Sequence, residues 1–471
     1  MPHRWKPIDD LPEDFSSLTD SELVSLLIYW QDQRASLDQE GALGVFNTGL
    51  AREWAIETGQ IEGVYDLDRG ITRTLIERGI DADLIGHVPG QKPPELIAAI
   101  LRDHQEALEG LFQFVKGERQ LTKGYIHELH SALLRHQDTT IAVDQFGRVF
   151  ETEVLKGQYK QRPNNPTRED GSVHEYCPPE HAETEMERLV QLHKEHESGG
   201  VPVEVEAAWL HHRFVQIHPY QDGNGRVARA LASLVFLRAG WFPIVVTRDD
   251  RVRYIDALEV ADHGELCSLV TLLVDIQKRA LFQAIKVAAD MQPPAETVEA
   301  AIAAARRVLA GPGRSLEPSA WLGAKRSSDR LMEIARERLE KTASLLTDQI
   351  GMDRPEFTFS VGERVRELKD FYGASLGWEP DSPDYTRCLT LVIQANRSSE
   401  IRIIGRAVGS RFRGLIGFMA FFYPDTDQRE EASETEFHVT YAEPYESAER
   451  RFRVWLEHSL ARALTLWRQS L

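Results

Sequence analysis

The chain has 471 residues, 42% of them hydrophobic, and 74 acidic against 55 basic side chains give a formal net charge of −19. That length and apolar share suit two to three buried cores, and the acidic balance argues against a general nucleic-acid binder. Three widely spaced cysteines, Cys177, Cys267 and Cys388, exclude a disulfide framework and a cysteine-rich zinc site. No apolar run reaches membrane-span length, and MPHRWKPIDD lacks a signal-like apolar stretch. A cytoplasmic protein with no membrane attachment is expected.

In chain order, residues 1–110 read as a helical region. Within it, residues 58–63 are TGQIEG. Residues 111–290 continue almost entirely helical. Residues 156–162, KGQYKQR, and the polar stretch PNNPTREDGSVHEYCPP after them read as turns joining short extended pieces. A helix follows over about 179–198. His193 and His196, three apart on it beside Lys194 and Glu195, read as surface residues, because no partner stands at a diagnostic metal spacing.

Ala207, Leu210, Phe214 and Ile217 recur at helical spacing, so a helix with one buried face leads into His218. Its neighbours His211 and His212 read as core-edge histidines. Pro219 predicts that this helix ends at His218. Val227, Leu231, Leu234 and Leu237 mark the buried face of a second helix, opening near Gly225, and Gly240 is a natural stop. The segment between, HPYQDGNGRVAR over 218–229, gathers a base, a hard oxygen ligand, side-chain-free backbone and two arginines. A helix start offers unpaired amides and a positive dipole end, and Gly223 and Gly225 let phosphate oxygens approach them. Arg226 and Arg229 share one face of the first turn. Asp222 suits a Mg²⁺ that bridges phosphates, and His218 can accept a proton from a hydroxyl. These are the parts for moving a phosphate-linked group onto a hydroxyl. Further on, TRDDRVRYIDALEVADHGEL over 247–266 offers Arg251 and Tyr254 for adenine or ribose.

The segment 218–229 resembles the Fic family motif H-x-F-x-(D/E)-G-N-G-R-x-x-R, with Tyr220 where phenylalanine is usual; its ring is expected to anchor the loop in the core. The resemblance implies a mainly α, Fic-type helical bundle with a short β-hairpin flap. It also implies that His218 is the general base and that Asp222 holds Mg²⁺. Gly223, Asn224 and Gly225 would cradle phosphates, and Arg226 and Arg229 would bind the β- and γ-phosphates of ATP. The implied activity is transfer of AMP from ATP to a hydroxyl of a target protein, bound along the flap at about 156–176 by strand addition. Lysine-bearing, kinase-like relatives differ at Gly225. TGQIEG also fits the family's inhibitory motif (S/T)-x-x-x-E-(G/N), which implies that Glu62 pairs with Arg229 as a carboxylate–guanidinium fork and blocks the γ-phosphate site. Two other readings stand beside this one: removal of AMP using Glu62, and a nucleotide-sensing toxin or defence switch acting through the C-terminal domain.

The resemblance covers about residues 40–290. Proline and glycine predict a linker over 291–323. Residues 324–471 read as an α+β domain: a charged helix over 324–349, strands over 387–395, 400–408, 414–423 and 434–441, and a final helix from about Pro444. No family suggests itself for this part. A homo-oligomer is left open by the sequence.

Overall fold

The computed structural model describes residues 4–20, 22–30, 42–86, 91–143, 148–167, 171–290, 318–364, 385–395, 398–408, 415–424, 429–433 and 435–471. Two compact units divide the chain. One is Met1–Asp20 with Leu43–Gln283, and the other is Ser21–Ala42 with Ala284–Leu471. The helix at 22–30 (α1) thus belongs to the second unit, whereas the sequence pattern had grouped it with residues 1–110.

The first unit is helical: α2 (Ala42–Ile61), α3 (Arg69–Arg78), α4 (Pro94–Lys116), α5 (Lys123–Leu133), α6 (Pro179–Gly199), α7 (Val203–Ile217), α8 (Asn224–Arg238), α9 (Arg251–Asp262) and α10 (Cys267–Asp290). Local chemistry sets many of these ends. Asp68 caps α3 by accepting from the Ile71 N–H at 2.9 Å, and Thr122 caps α5 through the Tyr125 N–H at 3.1 Å. Prolines open α4 and α6, where no N–H is needed. Helix α8 is buried on all sides from Arg226 to Leu237, as befits a helix at the centre of a bundle. It lies against α7, so the α7–α8 loop is fixed from both ends. An antiparallel hairpin, β1 (Thr139–Val143) with β2 (Val149–Glu153), stands after α5 and pairs Thr139 with Glu153.

Three sequence expectations need correction. His193 and His196 are not surface residues: both are buried and share the Glu206 carboxylate, each through Nδ1 at 2.6 Å. Hydrogen-bonding both imidazoles to one buried acid is what lets α6 carry them inward. The well-formed hairpin lies at 139–153, ahead of the expected flap, which holds an isolated antiparallel bridge, Thr167 with Val173. Of the expected linker, 291–317 lies outside the described residues; the charged helix starts at Pro318, inside the remainder.

The second unit is α+β. Beyond α1 it contains α11 (Pro318–Leu346), β3 (Thr358–Arg364), β4 (Thr386–Gln394), β5 (Ser398–Ala407), β6 (Leu415–Tyr423), β7 (Glu430–Glu431), β8 (Phe437–Thr440) and α12 (Tyr445–Ser470). The antiparallel sheet runs β3-β4-β5-β6-β7, with β8 also paired to β6. Leu389, Leu391 and Ile393 of β4, Ile401 and Ile403 of β5, and Ile416, Phe418, Ala420 and Phe422 of β6 alternate along their strands. They share one core with Leu331, Leu339, Phe452, Leu456 and Leu460 of the two long helices. All four expected strands are present, within three residues of the expected limits; β3 and β7 were not foreseen.

Candidate active site

Helix α7 ends at His218, whose backbone is left-handed (φ 51°) and whose N–H donates to Phe214 O at 3.0 Å. A non-glycine residue in that region is strained, and here the strain turns the imidazole toward the loop. The ring is anchored: Nδ1 lies 3.2 Å from Val215 O. A carbonyl only accepts, so Nδ1 carries the proton and Nε2 keeps its lone pair. Burial, with Lys160 adding to it, holds the His218 pKa down at about 3, so the ring is neutral at physiological pH.

Tyr220 does anchor the loop. Its ring is fully buried, stacks on His130 at 3.8 Å between centroids, and reaches His127 Nδ1 through its hydroxyl at 3.0 Å. His130 is itself locked: Nδ1 accepts from Gly157 N at 2.8 Å, which leaves Nε2 to donate to Asp222 O at 3.0 Å. Asn224, expected to cradle phosphate, braces the loop. Its amide is spent on the loop, accepting from Tyr220 N at 2.9 Å and donating to Tyr220 O at 2.7 Å. It shapes the cradle, and the backbone at the α8 start is left to meet a ligand. Gly223 is left-handed (φ 81°), and a Cβ there would lie 2.6 Å from Leu134 Cδ1, so only glycine fits.

Asp222 accepts from Gly223 N at 2.5 Å, from Gln137 Nε2 at 2.7 Å and from Arg226 Nη2 at 3.3 Å. Burial disfavours its charge, but Arg226, Thr140 and the Gly223 N–H outweigh that and keep its pKa below the usual carboxylate value. Among the described residues no cluster of three or more His, Cys, Asp or Glu could hold a metal by itself.

Arg226 and Arg229 are both almost fully buried, yet they meet different partners. Arg226 Nη1 donates to Gln137 Oε1 at 2.7 Å. Arg229 is wrapped by α2: Nε to Thr58 Oγ1, Nη2 to Thr58 O and Nη1 to Glu62 Oε1, each at 2.8 Å. The expected Glu62–Arg229 pair is therefore present, but as one N–H contact and not a fork, because Thr58 takes the guanidinium's other edge. Glu62 also lies so close to Gly225 that any Cβ there would overlap its carboxylate. Helix α2 is fastened in turn by Arg248, whose Nη2 meets Glu57 Oε1 at 3.0 Å and Thr72 Oγ1 at 2.8 Å.

Tyr254, expected at the nucleoside, stands beside Arg229. It is buried, and its hydroxyl lies 2.9 Å from His211 Nε2 and 3.5 Å from Arg229 Nη1. His211 and His212 are core residues, the latter 3.0 Å from Asp262 Oδ1. Arg251 sits on an exposed face of α9. The segment after Gly157 clasps the loop: Lys160 N donates to Pro219 O and Asn164 Nδ2 to Tyr220 O, both at 2.8 Å. Tyr176 stacks on the His218 ring at 3.8 Å. Sequence reading missed Gln137, Thr140, His130, Thr58 as an arginine ligand, and Tyr176. Only Thr58 carried a signal, as the first residue of TGQIEG.

These features define a helix–loop–helix with a neutral histidine at its mouth, two buried arginines at its second helix start and a carboxylate held against the second of them. Residues 120–236 match the model of the Fic/DOC family, so the chain carries a Fic domain. It is 39% identical over 75 residues to the protein adenylyltransferase Fic of Aedes aegypti, covering 16% of this chain and 15% of that protein. It is 27% identical over 222 residues to the protein adenylyltransferase fic-1 of Caenorhabditis elegans, covering 45% and 37%. The matches thus span well under half of these relatives. A solved Fic-domain-containing signaling protein from Bacteroides thetaiotaomicron aligns over 56% of this chain and 96% of its own, with 27% identity and a TM-score of 0.45.

Proposed function

We propose that this chain is a protein adenylyltransferase, transferring AMP from ATP to a hydroxyl side chain of a target protein, and that Glu62 holds it inactive. The observation that carries the reading is the pairing of a tautomer-fixed, neutral His218 with a helix start bearing two buried arginines. In this reading the His218 Nε2 lone pair takes the proton of the target hydroxyl as its oxygen bonds to the α-phosphorus. The bond from α-phosphorus to the β-bridging oxygen breaks, and pyrophosphate leaves. The amides at the start of α8 and Arg226 hold phosphate oxygens; Arg229 takes the γ-phosphate once Glu62 withdraws. Asp222, one half-buried ionised carboxylate without protein co-ligands among the described residues, suits a Mg²⁺ that fills its other positions with phosphate oxygens and water. Bound there, the ion would neutralise phosphate charge. The segment at 156–176 clasps the loop beside His218 and is the proposed seat of the target.

The test is incubation of the Glu62→Gly protein with cell lysate and ATP labelled in the α or the γ position. Label from the α position is expected on protein. Label from the γ position instead would make this a phosphotransferase and overturn the reading. A second reading, removal of AMP, draws support from Glu62 itself. Only Oε1 is engaged by Arg229, and the side chain is 30% exposed beside Gly225, so its other oxygen can orient a water. Loss of AMP removal in Glu62→Gly, with no gain of transfer, would favour that role.

A further inference from the structure

Gln137 lies between α5 and the β1–β2 hairpin, outside the 218–229 segment, and is 8% exposed. One amide touches both charged groups of the cradle. Nε2 donates to Asp222 Oδ2 and Oε1 accepts from Arg226 Nη1, each at 2.7 Å. The flipped amide would set its NH₂ against the guanidinium and its oxygen against the carboxylate, so the partners dictate the orientation. Three residues on, the half-buried Thr140 also favours the ionised form of Asp222. With Gly223 N and Arg226 Nη2, Gln137 makes three donors to one carboxylate, which has about four lone-pair sites. A divalent cation on this carboxylate therefore competes with them. The contact to Arg226 is the longest of the three, at 3.3 Å, and it is the one given up when that guanidinium turns to phosphate.

We propose that Gln137 is a positioning residue that couples cation binding to nucleotide binding, by holding Asp222 and Arg226 in register. The proposal rests on the adenylyltransferase reading above. Arg226 can release Asp222 to a cation while Gln137 and the Gly223 N–H keep the carboxylate aimed. Without Gln137, Asp222 and Arg226 close on each other, and the cation competes with a full ion pair.

The experiment measures binding of α,β-methylene-ATP, which cannot donate AMP, to the Glu62→Gly protein with Mg²⁺ and with EDTA. The ratio of the two dissociation constants reports the coupling. Gln137→Leu, which stays uncharged and removes both polar ends, is expected to raise the Mg²⁺ concentration for half-maximal effect about tenfold and to shrink the ratio correspondingly, as loss of a partner to a ligating carboxylate does elsewhere. Thr140→Val, at a half-buried site that tolerates the change, is expected to act in the same direction and more weakly. A merely structural Gln137 would weaken binding equally with and without Mg²⁺ and leave the ratio intact, which overturns the inference alone. If the parent Glu62→Gly protein shows no Mg²⁺ effect, the assignment of Asp222 falls and this inference falls with it. If Gln137→Leu fails to fold, Thr140→Val decides: an unchanged half-maximal Mg²⁺ concentration overturns the proposal.

Discussion

In the sheet of the second unit, the buried Arg402 finds its partner close by in the same sheet. Arg402 meets Glu400, two residues back on its own strand, at 2.6 Å and lies over the Tyr423 ring at 4.1 Å. The half-buried Arg387 meets Glu363 of the neighbouring strand at 2.8 Å and Glu333 of α11 at 3.0 Å. In the α7–α8 loop, Arg226 and Arg229 are at least as buried, but their partners come from far along the chain: Gln137, 89 residues away, and Thr58, 171 residues away. A charge matched inside its own sheet secures that sheet and needs nothing further. A charge at a helix N-terminus, beside exposed amides, faces the end of a positive dipole and gains nothing in stability from standing there. Its position makes sense when an anion arrives, and Glu62 is the anion that occupies it meanwhile.

The largest effect should come from the loop's base. His218→Ala is expected to lower the rate of AMP transfer about 10²–10⁴-fold, with ATP affinity kept, because His218 stands outside the amide cradle and its ring is tied to Val215 O. Single-turnover transfer in the Glu62→Gly background, alongside direct nucleotide binding, measures both. Turnover within a few-fold of the parent would remove His218 from the chemistry and leave the loop as one more charge-pairing element, like the sheet.

The next effect separates the two ends of the Glu62–Arg229 contact. Glu62→Gly is expected to raise transfer roughly ten- to a hundredfold, since a hydrogen bond to a charged partner contributes about 1.5–3 kcal/mol and here there is a single one. Arg229→Ala breaks the same contact but also removes the phosphate ligand and strands the Thr58 acceptors, so it should stay inactive. Equal rates in wild type and Glu62→Gly, or an Arg229→Ala protein as active as Glu62→Gly, would reduce this contact to the standing of Arg402 with Glu400.

The contrast also explains what could be read in advance. HPYQDGNGRVAR was legible because its helix ends, glycines and charges lie within twelve residues, and local rules govern all of them. The strands of the second unit were legible from their short apolar, β-branched runs, such as Leu389–Ile393 and Ile401–Ile404, set off by turn residues. Gln137 was not legible, because its role exists only once Asp222, 85 residues later, has folded against it. His193 and His196 failed for the same reason: the acid that carries them inward, Glu206, sits on the next helix. Strand β3, TFSVGER, escaped because it pairs at the sheet's edge and ends in two charged residues, which dilutes its alternation.

The smallest effect expected is a near-absence of pH dependence where an ordinary histidine would give a clear one. A base with a pKa near 6.5 would be about nine-tenths protonated at pH 5.5. Burial holds His218 at about 3, so its neutral form persists, and transfer by the Glu62→Gly protein should change by no more than about twofold between pH 5.5 and 7.5 on this account. Stability behaves otherwise. His104 at about 3, His130 at about 4 and His218 at about 3 are all depressed by burial. From about pH 6.5 down to about 4 the unfolded chain therefore takes up protons that the folded chain refuses, and stability falls as pH falls through that window. His196, raised by its acidic partners after burial is set against them, works in the opposite sense and offsets part of the loss. Fourteen of the sixteen histidines lie in the first unit, with only His438 and His458 in the second. Acid should therefore loosen the helical unit before the sheet, which hydrogen exchange across the two units can follow. An activity profile with its midpoint near pH 6.5, while exchange shows the first unit still intact, would mean that His218 titrates as an exposed histidine does and that the loop does not shield its base.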